Sequence, residues 1–115
     1  MRFLKLIAFT FVVFNFWNAH AAESRLANIS TIMLDKDIGD RLFIELETIE
    51  ASSAPCHKNS KWDLVLPLDN NEVTKAMLSF IVKAQATNEK LLFIGTGNCN
   101  VFNELETLKR IELIN

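Results

Sequence analysis

Residues 62–94 read WDLVLPLDNNEVTKAMLSFIVKAQATNEKLLFI, and their hydrophobic pattern changes twice. Apolar residues stand at every second position of Trp62–Leu68, which predicts a strand. Asp69 and the two asparagines after it offer an N-cap, and the apolar residues that follow have helical spacing. Lys90–Ile94 contains the continuous apolar run Leu91–Ile94 and predicts a strand again. This stretch therefore predicts a helix between two strands.

Two further strands are predicted before this stretch and one after it. Arg25–Leu34 and Arg41–Ile49 show alternation, and the polar, glycine-containing segment Asp35–Asp40 predicts a turn between them. Leu105–Ile114 supplies the last strand. The order β-β-β-α-β-β predicts a mainly β fold with one helix, arranged as a five-stranded OB-like barrel. A different five-stranded α+β arrangement of the same elements stays open.

Alternation also predicts which strand residues point inward. In the first strand Ile29, Thr31 and Met33 share one face. In the second strand Leu42, Ile44 and Leu46 share one face, opposite Phe43. In the third strand Trp62, Leu64 and Leu66 share one side. In the last strand the residues expected to be buried are Leu108, Ile111 and Leu113. Pro67 indicates that the third strand ends there or lies at an edge.

One side of the predicted helix is apolar and is expected to face the core. The helix is predicted to end at Thr87-Asn88. The members of this stripe are Val73, Ala76, Met77, Phe80, Ile81 and Ala84. At a step of 100° per residue, Leu78 and Val82 lie nearly opposite and are neighbours on one surface. They are either simply exposed or a candidate interface between copies of the chain.

Residues 1–21 have the order of a signal peptide. A short basic start precedes the apolar run Leu6–Trp17, which is shorter than the ~20 residues that cross a bilayer. Ala19-His20-Ala21 supplies the small residues that signal peptidase accepts. Cleavage there or after Ala22 leaves one OB-like domain, residues 22–115, in the periplasm or outside the cell. The alternative is an uncleaved anchor.

The domain contains two cysteines, Cys56 and Cys99, separated by 43 residues. In an oxidising compartment an even pair is usually bridged, and closing a loop of this length would stabilise a small domain by about 4 kcal/mol. The rival interpretation is a metal site formed by Cys56, His57 and Cys99. No further Cys or His of the domain is present to complete a tetrahedral shell, so we expect a disulfide, no metal and no cofactor.

The charge of the domain argues against a nucleic-acid ligand. Removing Arg2 and Lys5 from the twelve basic residues leaves ten against fourteen acidic ones, so the formal charge becomes −4. Single-stranded nucleic acids bind to basic grooves with interleaved aromatic residues. We therefore expect no nucleic-acid partner, and no membrane association after signal cleavage.

Three other patterns resemble sites of chemistry. His57 stands near three serines, Ser52, Ser53 and Ser60. A Ser-His pair among them would be the active site of a small exported hydrolase. The acidic cluster within Asp35–Asp40 lacks the EF-hand spacing, and Gly95-Thr96-Gly97 lacks the lysine and third glycine of nucleotide-binding loops. Both segments are interpreted as turns.

The layout resembles that of a known group of proteins. The features that resemble this group are the signal peptide, Cys56-His57 before a strand that begins with Trp62, the helix segment Ala76-Met77-Leu78-Ser79, the turn Gly95-Thr96-Gly97-Asn98-Cys99 and the last apolar strand. Together they resemble small secreted bacterial proteins with an OB-like fold, similar in layout to the B subunits of AB5 toxins. The resemblance covers nearly the whole domain but includes no specific binding motif.

The resemblance implies a function without catalysis. In the toxin subunits five copies form a ring, the helices line its centre and the barrel binds glycans. We therefore expect a secreted binding or assembly module with a glycan or protein ligand, and a homo-oligomer as a further partner. The hydrolase centred on His57 is the alternative. No glycan-binding residue carries over, because none can be matched individually.

Overall fold

The computed structural model describes residues 24–114, so the predicted signal peptide and its cleavage site lie outside the described residues. Five strands and one helix follow in the predicted order. They are β1 (Ser24–Leu34), β2 (Arg41–Glu47), β3 (Leu64–Pro67), α1 (Glu72–Thr87), β4 (Leu91–Gly95) and β5 (Leu108–Glu112). The mainly β class with one helix is confirmed.

The strands form one antiparallel sheet in the order β3-β2-β1-β4-β5. The outer strands approach each other at one isolated parallel bridge, between Val65 and Thr107. There the N–H of Val65 donates to the carbonyl of Glu106 at 3.0 Å. No continuous ladder joins β3 to β5 in residues 24–114, so the sheet is open and closure into a complete barrel stays a prediction.

The first strand contains an irregularity that changes the predicted faces. Ile29 pairs with Leu46 and Thr31 pairs with Glu45, so Ser30 is an extra residue in the ladder. Ile29 is buried in the main core, but beyond the bulge Ile32 packs against that core, whereas Met33 packs against a second cluster. The predicted grouping of Ile29 with Met33 is therefore wrong.

The main core lies between the sheet and α1. It combines inward residues of the strands with the buried side of the helix: Ala27, Ile29, Leu42, Ile44, Leu46, Leu64, Leu66, Met77, Ile81, Ala84, Leu91, Phe93 and Leu108. A smaller cluster of Phe43, Val65 and Leu105 buries the other side of β2 and β3. Phe43 lies on the face opposite Leu42, Ile44 and Leu46, as predicted, and it is buried there because Val101, Phe102 and Leu105 pack over it.

Helix α1 begins and ends as the sequence predicts. The side chain of Asn71 caps it by accepting the N–H of Val73 at 2.8 Å, and Asn88 ends it in the left-handed conformation with φ 54°. The buried stripe consists of Met77, Ile81 and Ala84, with Leu78 half-buried against the core.

Relative to the prediction, this stripe is rotated toward Leu78. Val73, Ala76 and Phe80 consequently lie beyond its edge and are exposed, so their assignment to the core is wrong. At 100° per residue these three lie on the opposite flank of the helix from Leu78.

Two strand-end predictions are also corrected. Trp62 precedes β3, so it does not share the face of Leu64 and Leu66; it packs against the second cluster instead. Leu113 follows the end of β5 and is exposed, whereas Leu108 is buried and Ile111 packs against the core. Both errors arise because the alternation of the sequence continues beyond the hydrogen-bonded ladder.

The predicted disulfide between Cys56 and Cys99 is present, with its Cα atoms 6.0 Å apart, which removes the rival metal site at these cysteines. It joins the loop before β3 to the loop after β4. Pro67 ends β3, an outer strand, as expected. Within residues 24–114 no helix is long and apolar enough to span a bilayer.

Candidate ligand-binding groove

A groove of about 270 Å³ lies between the end of β2 and the segment that precedes β3. Most of its lining is polar: Glu45, Leu46, Thr48, Ile49, Glu50, Ala51, His57, Asn59, Ser60, Lys61, Trp62 and Asp63. A second cavity, of about 330 Å³, is lined by only four residues, Glu89, Lys90, Leu113 and Ile114. Of these two cavities in residues 24–114, the groove is the one that combines charged, amide and aromatic side chains.

A buried ionic network supports the groove from behind. The guanidinium of Arg25, only 5% exposed, lies 3.5 Å from a carboxylate oxygen of Asp63 and 3.6 Å from one of Glu106. Asp63 also accepts the N–H of Leu46 at 2.7 Å, and Glu106 accepts the hydroxyl of Ser52 at 2.6 Å. Buried charges that are paired and hydrogen-bonded hold one geometry, so this network fixes the groove wall.

His57 attaches the loop before β3, which lines the groove, to the segment before β5. Its Nδ1 accepts the backbone N–H of Glu106 at 3.1 Å. The backbone N–H groups of Lys58 and Asn59 both donate to the carbonyl of Glu104. With the neighbouring disulfide, these bonds tie the loop to the rest of the fold at several adjacent points.

This contact determines the tautomer of His57. Because a backbone N–H is the donor, Nδ1 is the unprotonated nitrogen and Nε2 carries the proton of the neutral ring. A base in a Ser-His pair accepts the serine proton at Nε2 while its Nδ1–H is oriented by an acceptor. His57 has the opposite arrangement, and Ser52 donates to Glu106 instead. Within residues 24–114 none of the three nearby serines hydrogen-bonds to His57.

The carboxylate of Glu45 is held on the other wall. One oxygen accepts the hydroxyls of Ser30 at 2.8 Å and Thr31 at 2.9 Å, and the other lies 3.0 Å from Nζ of Lys61. Successive strand residues normally point to opposite faces, but the bulge at Ser30 lets both hydroxyls reach one carboxylate. The Lys61 ammonium, followed by these hydroxyls, holds the pKa of the Glu45 carboxyl below its ordinary value.

The aromatic element of the groove is Trp62. Its ring packs against Phe43 at 5.9 Å between centroids, and Nζ of Lys61 lies 5.5 Å from its centroid. The side-chain oxygen of Asn59 accepts the N–H groups of both Lys61 and Trp62. This local turn places the lysine and the indole side by side.

The remaining predicted positions lie outside the groove. Asp35–Asp40 forms a turn, in which the carboxylate of Asp35 accepts the N–H of Asp37 at 2.9 Å. Among the described residues no group of three or more Cys, His, Asp or Glu side chains could hold a metal ion. Gly97, with φ 79°, donates its N–H to Glu106 at 3.0 Å, so the glycine turn supports the buried carboxylate.

The candidate interface on α1 divides into two different environments. Leu78 is half-buried and packs against the main core, so it does not lie opposite the buried stripe. Val82 is 45% exposed. An interface formed by this pair stays a prediction, with Val82 as its accessible member.

The sequence identified His57 and Ser60, which line the groove, but not the buried ionic network that supports its wall. Arg25 gives one signal, because it occupies the same alternating face as Ala27 and Ile29 and a charge on an inward face requires a buried partner. The partners themselves, Asp63 and Glu106, are distant in the sequence, and no local pattern identifies them.

No protein-family model matches the sequence, and neither the curated proteins nor the solved structures include a match. The groove must therefore be interpreted from its own chemistry.

Proposed function

We propose that residues 22–115 form an exported binding module without catalytic activity, and that a carbohydrate occupies the groove. The observation that carries this proposal is the position of Trp62 next to a fixed carboxylate, that of Glu45, in a polar groove. An aromatic ring packs against the apolar face of a sugar, while charged and amide groups hydrogen-bond to its hydroxyls.

The size and rigidity of the groove support the proposal. Its volume of about 270 Å³ is slightly below the range of typical ligand sites, about 300–1,000 Å³, which suits one sugar unit of a longer glycan. The disulfide and the Arg25 network hold its walls before a ligand arrives. A preorganised wall lowers the entropic cost of binding.

Export is supported by two separate features. The first is the signal-peptide pattern of residues 1–21, and the second is the disulfide, which persists in oxidising compartments. We further propose that the module assembles as a ring of identical copies, as the resemblance to AB5 toxin B subunits implies. The intact mass of the exported protein tests signal-peptide cleavage, since cleavage gives a chain that begins at Ala22 or Glu23.

A glycan array tests the binding function directly. Wild-type protein should retain a subset of glycans, and Trp62→Ala should lose at least about tenfold in affinity, because one buried aromatic anchor contributes more than ~1.4 kcal/mol. Trp62→Phe keeps a ring against Phe43 and should retain part of the binding. Leu113→Ala, an exposed change outside the groove, is the matched control. Binding to no glycan, or binding equally reduced by Leu113→Ala, would contradict the proposal.

A further inference from the structure

We propose that the sugar bound in the groove is a protonated amino sugar, and that Lys61 occupies its ammonium position in the free protein. This inference rests on the proposed function and names the ligand class of the same site. The observation behind it is that the groove already contains an ammonium between a carboxylate and an aromatic ring, and that this ammonium belongs to the protein itself.

The geometry around Nζ of Lys61 is that of a cation site. Nζ lies 3.0 Å from an oxygen of Glu45 and 5.5 Å from the centroid of the Trp62 ring. Ammonium groups bind within about 6 Å of an indole centroid, and a carboxylate supplies a charge-assisted hydrogen bond. The same two partners would accept the ammonium of a ligand.

Both partners are fixed independently of Lys61. Ser30 and Thr31 donate to the oxygen of Glu45 that does not contact the lysine. The Trp62 ring rests on Phe43. Removing the lysine ammonium therefore leaves the carboxylate and the ring in place, as a vacant site of the same shape.

Lys61 is suited to leave this position. Its side chain is 58% exposed, and its only carboxylate partner within residues 24–114 is Glu45. Exposed ion pairs of this kind are weak, and a lysine can extend its ammonium into water at little cost. A ligand that combines an ammonium with a sugar ring would gain the stacking that Lys61 cannot provide.

The charges of the groove favour a cation over an anion. Three carboxylates line it, those of Glu45, Glu50 and Asp63, against the single ammonium of Lys61. Asp63 is paired with Arg25, which leaves two carboxylates once Lys61 has moved away. An acidic sugar would be repelled, whereas a protonated amine restores the balance.

Two oligosaccharides with the same sugar backbone, one with free amines and one with acetylated amines, provide the test. Trimers of glucosamine and of N-acetylglucosamine are titrated against the mature protein by calorimetry, together with Nα-acetyl-lysine amide as an ammonium without a sugar ring or a carboxylate. Wild type should prefer the glucosamine trimer. Lys61→Met should raise its affinity for that trimer roughly threefold to tenfold, the factor expected from removing one exposed cation pair, and should change N-acetylglucosamine binding less than about twofold.

Glu45→Gln keeps an oxygen for Ser30 and Thr31 but removes the charge, so it should abolish the preference between the two trimers. Leu113→Ala should alter neither affinity. Equal binding of both trimers, or of Nα-acetyl-lysine amide and the glucosamine trimer, would overturn the amino-sugar assignment. So would glycan binding that depends on Trp62 but includes neither trimer. In each of these cases the proposed glycan-binding function would still hold. That function would be contradicted if no glycan bound in a Trp62-dependent manner.

Discussion

The carboxylate of Glu106 occupies the space that a side chain at Gly95 would fill: a Cβ added to Gly95 would overlap the carboxyl group. Gly95 is the last residue of β4, and Glu106 lies in the segment just before β5. The absence of a side chain at one position thus permits a buried charge at the other. The Glu106 carboxylate accepts hydrogen bonds from Ser52 and Gly97 and pairs with Arg25.

Gly95→Ala is therefore expected to displace Glu106 and destabilise the domain by about 3 kcal/mol, the scale of breaking a buried ion pair. Gly39→Ala is the matched control, since Gly39 has open space around it and a φ of 98°, so only backbone strain of about 1 kcal/mol is expected. Denaturant unfolding measures both. Adding Glu106→Ala to the Gly95 variant should recover part of the loss; equal costs at the two glycines would contradict this account.

A second pair of variants examines His57. His57→Ala leaves the N–H of Glu106, a residue 5% exposed, without its acceptor, which should cost about 1–3 kcal/mol of unfolding free energy. Asn has an oxygen near the position of Nδ1, so His57→Asn should recover about 1 kcal/mol of this loss. If the two variants were equally stable, the imidazole would contribute through packing and not through this hydrogen bond.

Much of the fold is predictable because it depends on local periodicity. The six elements, the cap at Asn71 and the turn at Asp35–Asp40 all arise from patterns within a few residues. The disulfide is predictable for a different reason, since the domain has only Cys56 and Cys99 to pair.

The errors arise where tertiary structure overrides the local pattern. The bulge at Ser30 interchanges the faces of β1 beyond it, and the rotation of α1 exposes Phe80 and half-buries Leu78. The groove could not be predicted, because Arg25, Asp63 and Glu106 come together only when three separated segments meet. Such contacts leave no periodic signal.

The disulfide should stabilise the domain without contributing chemistry. It closes a loop of 43 residues, so a Cys56→Ser, Cys99→Ser double variant should lose about 4 kcal/mol of unfolding free energy. Thermal unfolding of wild type with and without a thiol reductant provides the comparison, and the double variant, which has no bond to reduce, is the control. A wild-type transition unaffected by complete reduction would show that the hydrogen bonds around His57 suffice.

Glu45 should make stability depend on pH in the acidic range. The pKa of its carboxyl is lowered in the folded protein, first by Lys61 and then by Ser30 and Thr31. A depressed folded pKa contributes stability that is fully present above the unfolded pKa, about 4.3, and is lost as the pH falls through the folded pKa. Glu45→Gln lacks this contribution, so the difference in unfolding free energy between it and wild type should shrink on acidification. A constant difference between about pH 7 and pH 2 would argue against the effect.

The final prediction concerns assembly through α1. Leu78 packs against the core and Val82 is exposed, so the two positions should respond differently to a charge. Leu78→Glu should lower the melting temperature, because it places a carboxylate against apolar side chains. Val82→Glu should leave the melting temperature nearly unchanged and lower the native mass of the protein, since a valine buried between copies contributes roughly 1.5 kcal/mol per subunit. Lys83→Glu, a charge change at the neighbouring exposed position, controls for charge alone. Sedimentation equilibrium of all four proteins separates the effects: a monomeric wild type, or an oligomer insensitive to Val82→Glu, would exclude this side of the helix as the interface.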